Sequence, residues 1–351
     1  MISKVYLEGN REMKKYIKYA FSRTLPVLFG YIFLGIAFGI VLQQAGFNFI
    51  WAFCISLFLY AGSMQFVLVP LLASAASPLT VAVTTLFVNS RHVFYGLSFI
   101  ESFKKMKTQL YMIFSLSDET YSVLCSCKNE DPEEKNRPAW FLINLFDQSY
   151  WIIGSVIGAL LGQVLPFDFT GIDFSMTALF VVILLDQVLA HPKAAGRCAV
   201  TGLLAGIICL FIFGSGKFPA AGTDHHRFIC HSLCTGRKKK GAAVMNTGHS
   251  ILLIAIASGI TFLIRAFPFL VFKKRQMPAF LKEIADKLPP AIIAVLVIYC
   301  LKGPLTVLGT ETIAAVIAIA SVVILHLWKR NTLLSVAAGT VLYMIFIRCL
   351  P

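Results

Sequence analysis

Apolar runs follow one another along almost the whole chain, each about long enough to cross a bilayer as a helix. They predict spans at 26–45, 48–74, 79–100, 139–163, 171–191, 196–214, 249–271, 286–302, 305–328 and 332–350, with a weaker one at 108–127. Strands of a membrane barrel would instead alternate apolar and polar residues over about ten positions, and these runs do not. The pattern predicts an all-α, polytopic helical membrane protein with about ten or eleven transmembrane helices.

The spans fall into two groups. A basic segment, 1–24, precedes a first membrane unit at 25–217, and a polar stretch at 218–244 separates it from a second unit at 245–351. In the first unit GIAFGIVLQQ (Gly35–Gln44) resembles GSVIGALLGQ (Gly154–Gln163), and AVTTLFV (Ala82–Val88) resembles AVTGLLA (Ala199–Ala205) at nearly the same offset. Both of the first pair open Gly-x-x-x-Gly, which lets membrane helices approach closely. An internal duplication is expected, chance similarity among small residues being the alternative. The 108–127 segment then decides its sense: parallel halves if it spans, inverted halves if it does not.

Composition narrows the class. Of 351 residues 58% are hydrophobic and 14% charged, against about 25% charged in soluble domains. The net charge of +14 comes from cations clustered at span ends, such as Lys14, Lys15, Lys18 and Arg23, Lys273–Arg275, and Lys329–Arg330. That is the signature of cytoplasmic loops, not of nucleic-acid binding. A plasma-membrane, multi-pass location follows. With the N-terminus and the 128–137, 192–197, 272–287 and 329–331 loops inside, the Lys104–Lys107 and Arg237–Lys240 clusters fall outside. The first of these violates the rule. Residues 1–24 are too charged for a cleaved signal, so the first span is expected to stay as an anchor. The nine cysteines show no disulfide framework.

The 218–244 stretch carries His225, His226, Cys230, His231 and Cys234, then Arg237–Lys240. Its spacing does not match the usual two-pair zinc pattern, and GSGKF lacks the Ser or Thr that a phosphate-binding loop needs after its Lys. No metal and no cofactor are expected. A plain linker is one reading. The genetic code offers another: TDHHRFIC read one base later encodes an apolar stretch such as L-I-I-I-A-L-F, where the duplication wants another helix. KKKGAAVM places a purine-rich run before Met245, as a ribosome-binding site would, and EGNREM does the same before Met13. The stretch is read as a frame-shifted join between two adjacent genes, with residues 1–12 as untranslated leader.

Ionisable residues inside spans are costly and mark pathways or ion pairs. Arg91 and His92 lie in 79–100, Asp118 and Glu119 interrupt 108–127, Asp147 lies in 139–163, Asp186 in 171–191 and Arg265 in 249–271. In YAGSMQF (Tyr60–Phe66), Gly62 and Ser63 sit mid-run, where a break would expose helix-terminal N–H groups able to hold a carboxylate. VNSRHV (Val88–Val93) is a second candidate break. Gly62, Ser63, Gln65, Asn89, Arg91 and His92 are the substrate-binding candidates. Asp118, Glu119, Asp147, Asp186 and Arg265 are the coupling or pathway candidates. A structural ion pair or ordinary helix packing is the competing reading for each.

LYAGSMQFVLVPLLASAASPLTVAVTTLFVNSRHVFYGLSF, followed by SLSDETYSV, resembles the large subunit of the AzlC-type branched-chain amino acid permeases. ITFLIRAFPFLVF and LPPAIIAVLVIYCL resemble its small AzlD-type partner. The resemblance implies a secondary transporter that exports valine, leucine or isoleucine, ion-gradient coupled, with the two units acting together in the lipid bilayer. No catalytic residues are expected. An intramembrane metalloprotease would need a His-Glu-x-x-His helix, which no span contains. A passive channel or structural membrane subunit is the alternative.

Overall fold

The computed structural model describes residues 2–130, 133–164, 170–190, 192–217, 247–272, 290–291, 293–298, 300–301 and 310–349. The whole 218–244 stretch, with the expectations placed on it, lies outside them. Every regular element among the described residues is a helix. In the first unit these are α1 (Ile2–Gln44), α2 (Phe49–Phe58), α3 (Gly62–Ala73), α4 (Pro78–Asn89), α5 (His92–Lys104), α6 (Gln109–Phe114), α7 (Asp118–Glu130), α8 (Glu133–Val164), α9 (Phe174–Ala190) and α10 (Pro192–Lys217). The second unit contributes α11 (Thr247–Val271), a helical stretch within 290–300, α12 (Thr310–Lys329) and α13 (Thr332–Cys349). Segments of α1, α8, α11, α12 and α13 are each long and apolar enough to cross a membrane.

The two glycine-rich segments pack on each other. Gly35 lies against Gly154 and Ser155, Gly39 against Ser155, Gly158 and Ala159, and Gly162 against Gln43. The numbers rise together along both helices, so α1 and α8 run parallel. Their backbones meet so closely that a Cβ on Gly39 or Gly158 would collide with the carbonyl oxygen of Ser155 or Ile36. That proximity is what Gly-x-x-x-Gly permits in lipid.

Between α1 and α8 the chain crosses only once, which corrects the spans expected at 48–74 and 108–127. α2 starts where α1 ends and descends beside α8, the Leu57 carbonyl accepting from Gln148. α3 then turns back: Phe66 meets Phe38, nearer the C-terminal end of α1. Tyr60, at φ 34°, makes the reversal. α4 and α5 form the one true crossing. Helix α11 runs alongside both in the same direction, from His249 at Ala76, through Thr261 at Asn89, to Phe272 at Lys104. α6 rises from that end, and α7 falls back alongside α5, with Asp118 at Arg91 and Tyr121 at Tyr95 and Phe99. The 48–74 and 108–127 segments are therefore re-entrant pairs entering from opposite faces. Because neither crosses, α1 and α8 run parallel even though 108–127 does not span.

The core divides accordingly. One cluster joins Tyr31–Leu42 of α1 to α3, α4 and Trp151. The other joins Ala20 to α5, α6, α7, Trp140 and Ile143. This arrangement also corrects the charge pattern. Lys104–Lys107 lie at the face where α1 begins, with Lys14, Lys15 and Lys18, so they no longer violate the positive-inside rule. Lys104 also has a local partner there: its ammonium donates to the Phe272 carbonyl at the end of α11.

Candidate functional site

The tips of both re-entrant pairs and the α4–α5 break meet between the two clusters. α3, α5 and α7 all begin there, and the positive ends of helices favour negative charge. Ser117 caps α7, accepting from the Thr120 N–H at 3.2 Å. Asp118 and Glu119 form the first turn of α7, where the helix dipole favours carboxylates.

Arg91 is the centre. It is 2% exposed. Its Nε donates to both carboxylate oxygens of Asp118 at 3.0 and 3.2 Å, and its Nη2 to Asp118 Oδ2 at 2.8 Å. Nη2 also donates to Ser63 Oγ at 2.7 Å, and Nη1 to the Val88 carbonyl at 3.0 Å. The guanidinium thus ties the tip of one re-entrant pair to the tip of the other. The Phe180 ring lies 5.7 Å from the guanidinium carbon.

Arg265 arrives from the second unit. It donates to the Tyr60 carbonyl at 2.7 Å and to the Phe114 carbonyl, the free C-terminal ends of α2 and α6. A cation suits both. The second unit therefore supplies the group that closes both re-entrant turns.

A small cavity of about 30 Å³ lies at this junction. Its polar wall holds Tyr60, Ser63, Arg91, His92, Asp118 and Glu119, and its apolar wall Leu34, Phe66, Trp151, Leu179 and Phe180. Gly62 lies under the Trp151 ring, where a Cβ would stand 2.9 Å from Cη2. Trp151 Nε1 donates to Gln65 Oε1 at 2.6 Å, and Gln65 Nε2 to the Ile55 carbonyl at 3.2 Å. Glu119 accepts from the Tyr31 hydroxyl at 2.6 Å, and Asp147 Oδ2 accepts from Thr120 at 2.7 Å.

The structure brings Gly62, Ser63, Arg91, His92, Asp118, Glu119 and Arg265 to the cavity wall. Gln65, Asn89 and Asp147 stand one contact behind it. Asn89 donates to Thr261 Oγ1 at 2.8 Å, and the His92 ring lies 3.1 Å from the Asn89 carbonyl. Asp186 is elsewhere: it pairs with His326 of α12 at 2.8 Å and is 57% exposed. Sequence reasoning missed Tyr31 and Trp151, whose sequence neighbours carry no signal, and Tyr60, which opens the YAGSMQF stretch. It also missed Ser117 and Thr120, which the capping pattern SDET could have flagged.

Residues 26–165 match the AzlC protein family, and residues 250–347 match the family of branched-chain amino acid transport proteins AzlD. An uncharacterized membrane protein of Helicobacter pylori is 38% identical over 210 residues, 59% of this chain and 90% of its own. The branched-chain amino acid transport protein AzlC of Bacillus subtilis is 37% identical over 202 residues, 57% of this chain and 78% of its own. A second, separate Helicobacter pylori protein is 33% identical over 101 residues, 28% of this chain and 88% of its own. No solved structure matches. This chain belongs to the AzlC family and carries an AzlD unit in the same polypeptide.

Proposed function

We propose that the protein moves branched-chain amino acids across the cytoplasmic membrane, exporting them at the expense of an ion gradient. The carrying observation is the Arg91–Asp118 pair, buried at the junction of three helix starts beside an aromatic and aliphatic wall. A zwitterion is what such a pair can exchange for. The substrate carboxylate takes the Arg91 fork and the α3 N–H groups, and its ammonium takes Asp118 and Glu119. Each ion keeps a partner throughout, so neither is left bare in a low-dielectric site. A branched side chain then lies against Phe66, Phe180 and Leu179, and the match to AzlD proteins supports that choice. The Tyr60 hydroxyl, buried without a partner among the described residues, is a further contact for the substrate.

The site is walled rather than a continuous polar lining, which favours a carrier over a channel. Two re-entrant tips held by one exchangeable pair also give the substrate a means to loosen one tip and then the other. Cells expressing the chain should release radiolabelled leucine faster than controls and tolerate a toxic leucine analogue better, and collapsing the proton gradient should slow release. Equal release with and without expression would refute the reading.

A further inference from the structure

Four oxygen–oxygen contacts of hydrogen-bond length link Glu119 to Asp147. Glu119 Oε2 lies 2.6 Å from Tyr31 Oη, Tyr31 Oη 2.6 Å from Ser117 Oγ, Ser117 Oγ 2.9 Å from Thr120 Oγ1, and Thr120 Oγ1 2.7 Å from Asp147 Oδ2. Each contact needs one hydrogen. The three hydroxyls bring one each, so with both carboxyls ionised one contact is left as two oxygens facing each other with nothing between. We infer that Glu119 and Asp147 share a single proton along this hydroxyl chain, and that it is the proton coupled to transport. The inference rests on the transport reading only in its second half.

Two arrangements satisfy every link. In one, Asp147 donates to Thr120, Thr120 to Ser117, Ser117 to Tyr31 and Tyr31 to Glu119. In the other, all four directions reverse and Glu119 carries the proton. Passing between them breaks one O–H bond at Asp147, forms one at Glu119 and shifts each hydroxyl hydrogen by one link. One proton moves, and nothing else is consumed. The backbone N–H of Thr120 donates to Ser117 Oγ in both, holding the middle of the chain in place.

The surroundings favour Asp147 as the resting holder. It is 0% exposed, and its Oδ1 has no partner among the described residues. The titratable groups facing it are Glu119 from α7, Tyr31 from α1, Tyr60 at the α2–α3 turn, Tyr111 from α6 and Tyr150 on its own helix. Among the described residues no Lys, Arg or His pairs with it. A bare carboxylate is poorly supported there. Glu119 has the α7 N-terminus and lies on the cavity wall with Arg91. Asp147 is thus the store and Glu119 the outlet, where the proton meets water or substrate.

The test uses the full chain in proteoliposomes. Infrared spectra of the wild type at neutral pH should show a protonated-carboxyl C=O band that shifts in deuterated water and is missing from the Asp147→Asn, Glu119→Gln double variant. Asp147→Asn and Thr120→Val, neither on the cavity wall, should keep leucine exchange without a pH gradient. Both should lose accumulation driven by a pH gradient by about a hundredfold, and Thr120→Ser should restore it. Absence of the band from the wild type, or a Thr120→Val variant that still accumulates leucine, overturns the inference. A wild type that exchanges no leucine refutes the transport reading, while the infrared result still decides whether the proton is there.

Discussion

Arg91 spends at least four of its five N–H donors. Each of its three nitrogens already holds a partner, and those partners come from three different segments. Lysine would keep the charge but not the fork. Losing a charged hydrogen bond costs about 1.5–3 kcal/mol, so Arg91→Lys should raise the apparent KM for leucine roughly ten- to hundredfold. Arg91→Gln should abolish transport at near-normal membrane yield. Asp186→Asn is the control: its side chain is 57% exposed and pairs with His326 rather than with the cavity residues, so it should transport like the wild type. Uptake kinetics in vesicles decide all three. Gly62 is constrained from the other side, because Gln65 holds the Trp151 ring against it. Gly62→Ala should lower stability by about 1–3 kcal/mol through overpacking, read as a lower Tm in detergent.

At the scale of elements, the re-entrant pairs depend on what closes their tips. Arg265 bonds carbonyls at the ends of both α2 and α6. Arg265→Gln should cost about 3 kcal/mol, the worth of two such bonds, and lower Tm more than Gly62→Ala does. A Tm unchanged by Arg265→Gln would show that the second unit is not what holds the turns. The α1–α8 pair depends on absent side chains instead. A Cβ on Gly158 would meet the Ile36 backbone, so Gly158→Leu must push the helices apart, at a cost of about 1–3 kcal/mol or more. The breaks at Gly62 and at Arg91 were legible because Gly, Ser and a charge interrupt apolar runs. That the first run reverses while the second continues was not legible. The reversal rests on the positive φ of Tyr60, and α11 lies along both α4 and α5 to show that they run the same way.

For the whole molecule, the arrangement assigns faces. Cysteines introduced one at a time at Lys15 and Lys105 should react with an impermeant thiol reagent from the same, cytoplasmic side. Reaction from opposite sides would restore the reading in which 48–74 and 108–127 both cross. The 218–244 stretch belongs to this scale too. Helicobacter pylori carries two separate relatives, matching 59% and 28% of this chain, which fits a frame-shifted join between neighbouring genes. Restoring the neighbouring frame, with Met245 starting a second chain, should then give higher membrane yield and faster efflux than the fused polypeptide. Equal performance would favour an ordinary linker.

The sequence by itself determined the class of molecule, the glycine motifs that permit close helix packing and most of the charged residues at the cavity. These follow from local properties: the length of an apolar run, the spacing of glycines, and the cost of an ion in lipid. Only the tertiary structure decided which runs cross and which turn back, since a re-entrant pair and a broken span share the same composition. It alone placed Asp186 apart from the site and joined Glu119 to Asp147 through Tyr31, Ser117 and Thr120. A hydroxyl is an ordinary residue in sequence. It becomes a conductor only when four contacts of hydrogen-bond length line up across α1, α7 and α8, and that alignment is a property of packing.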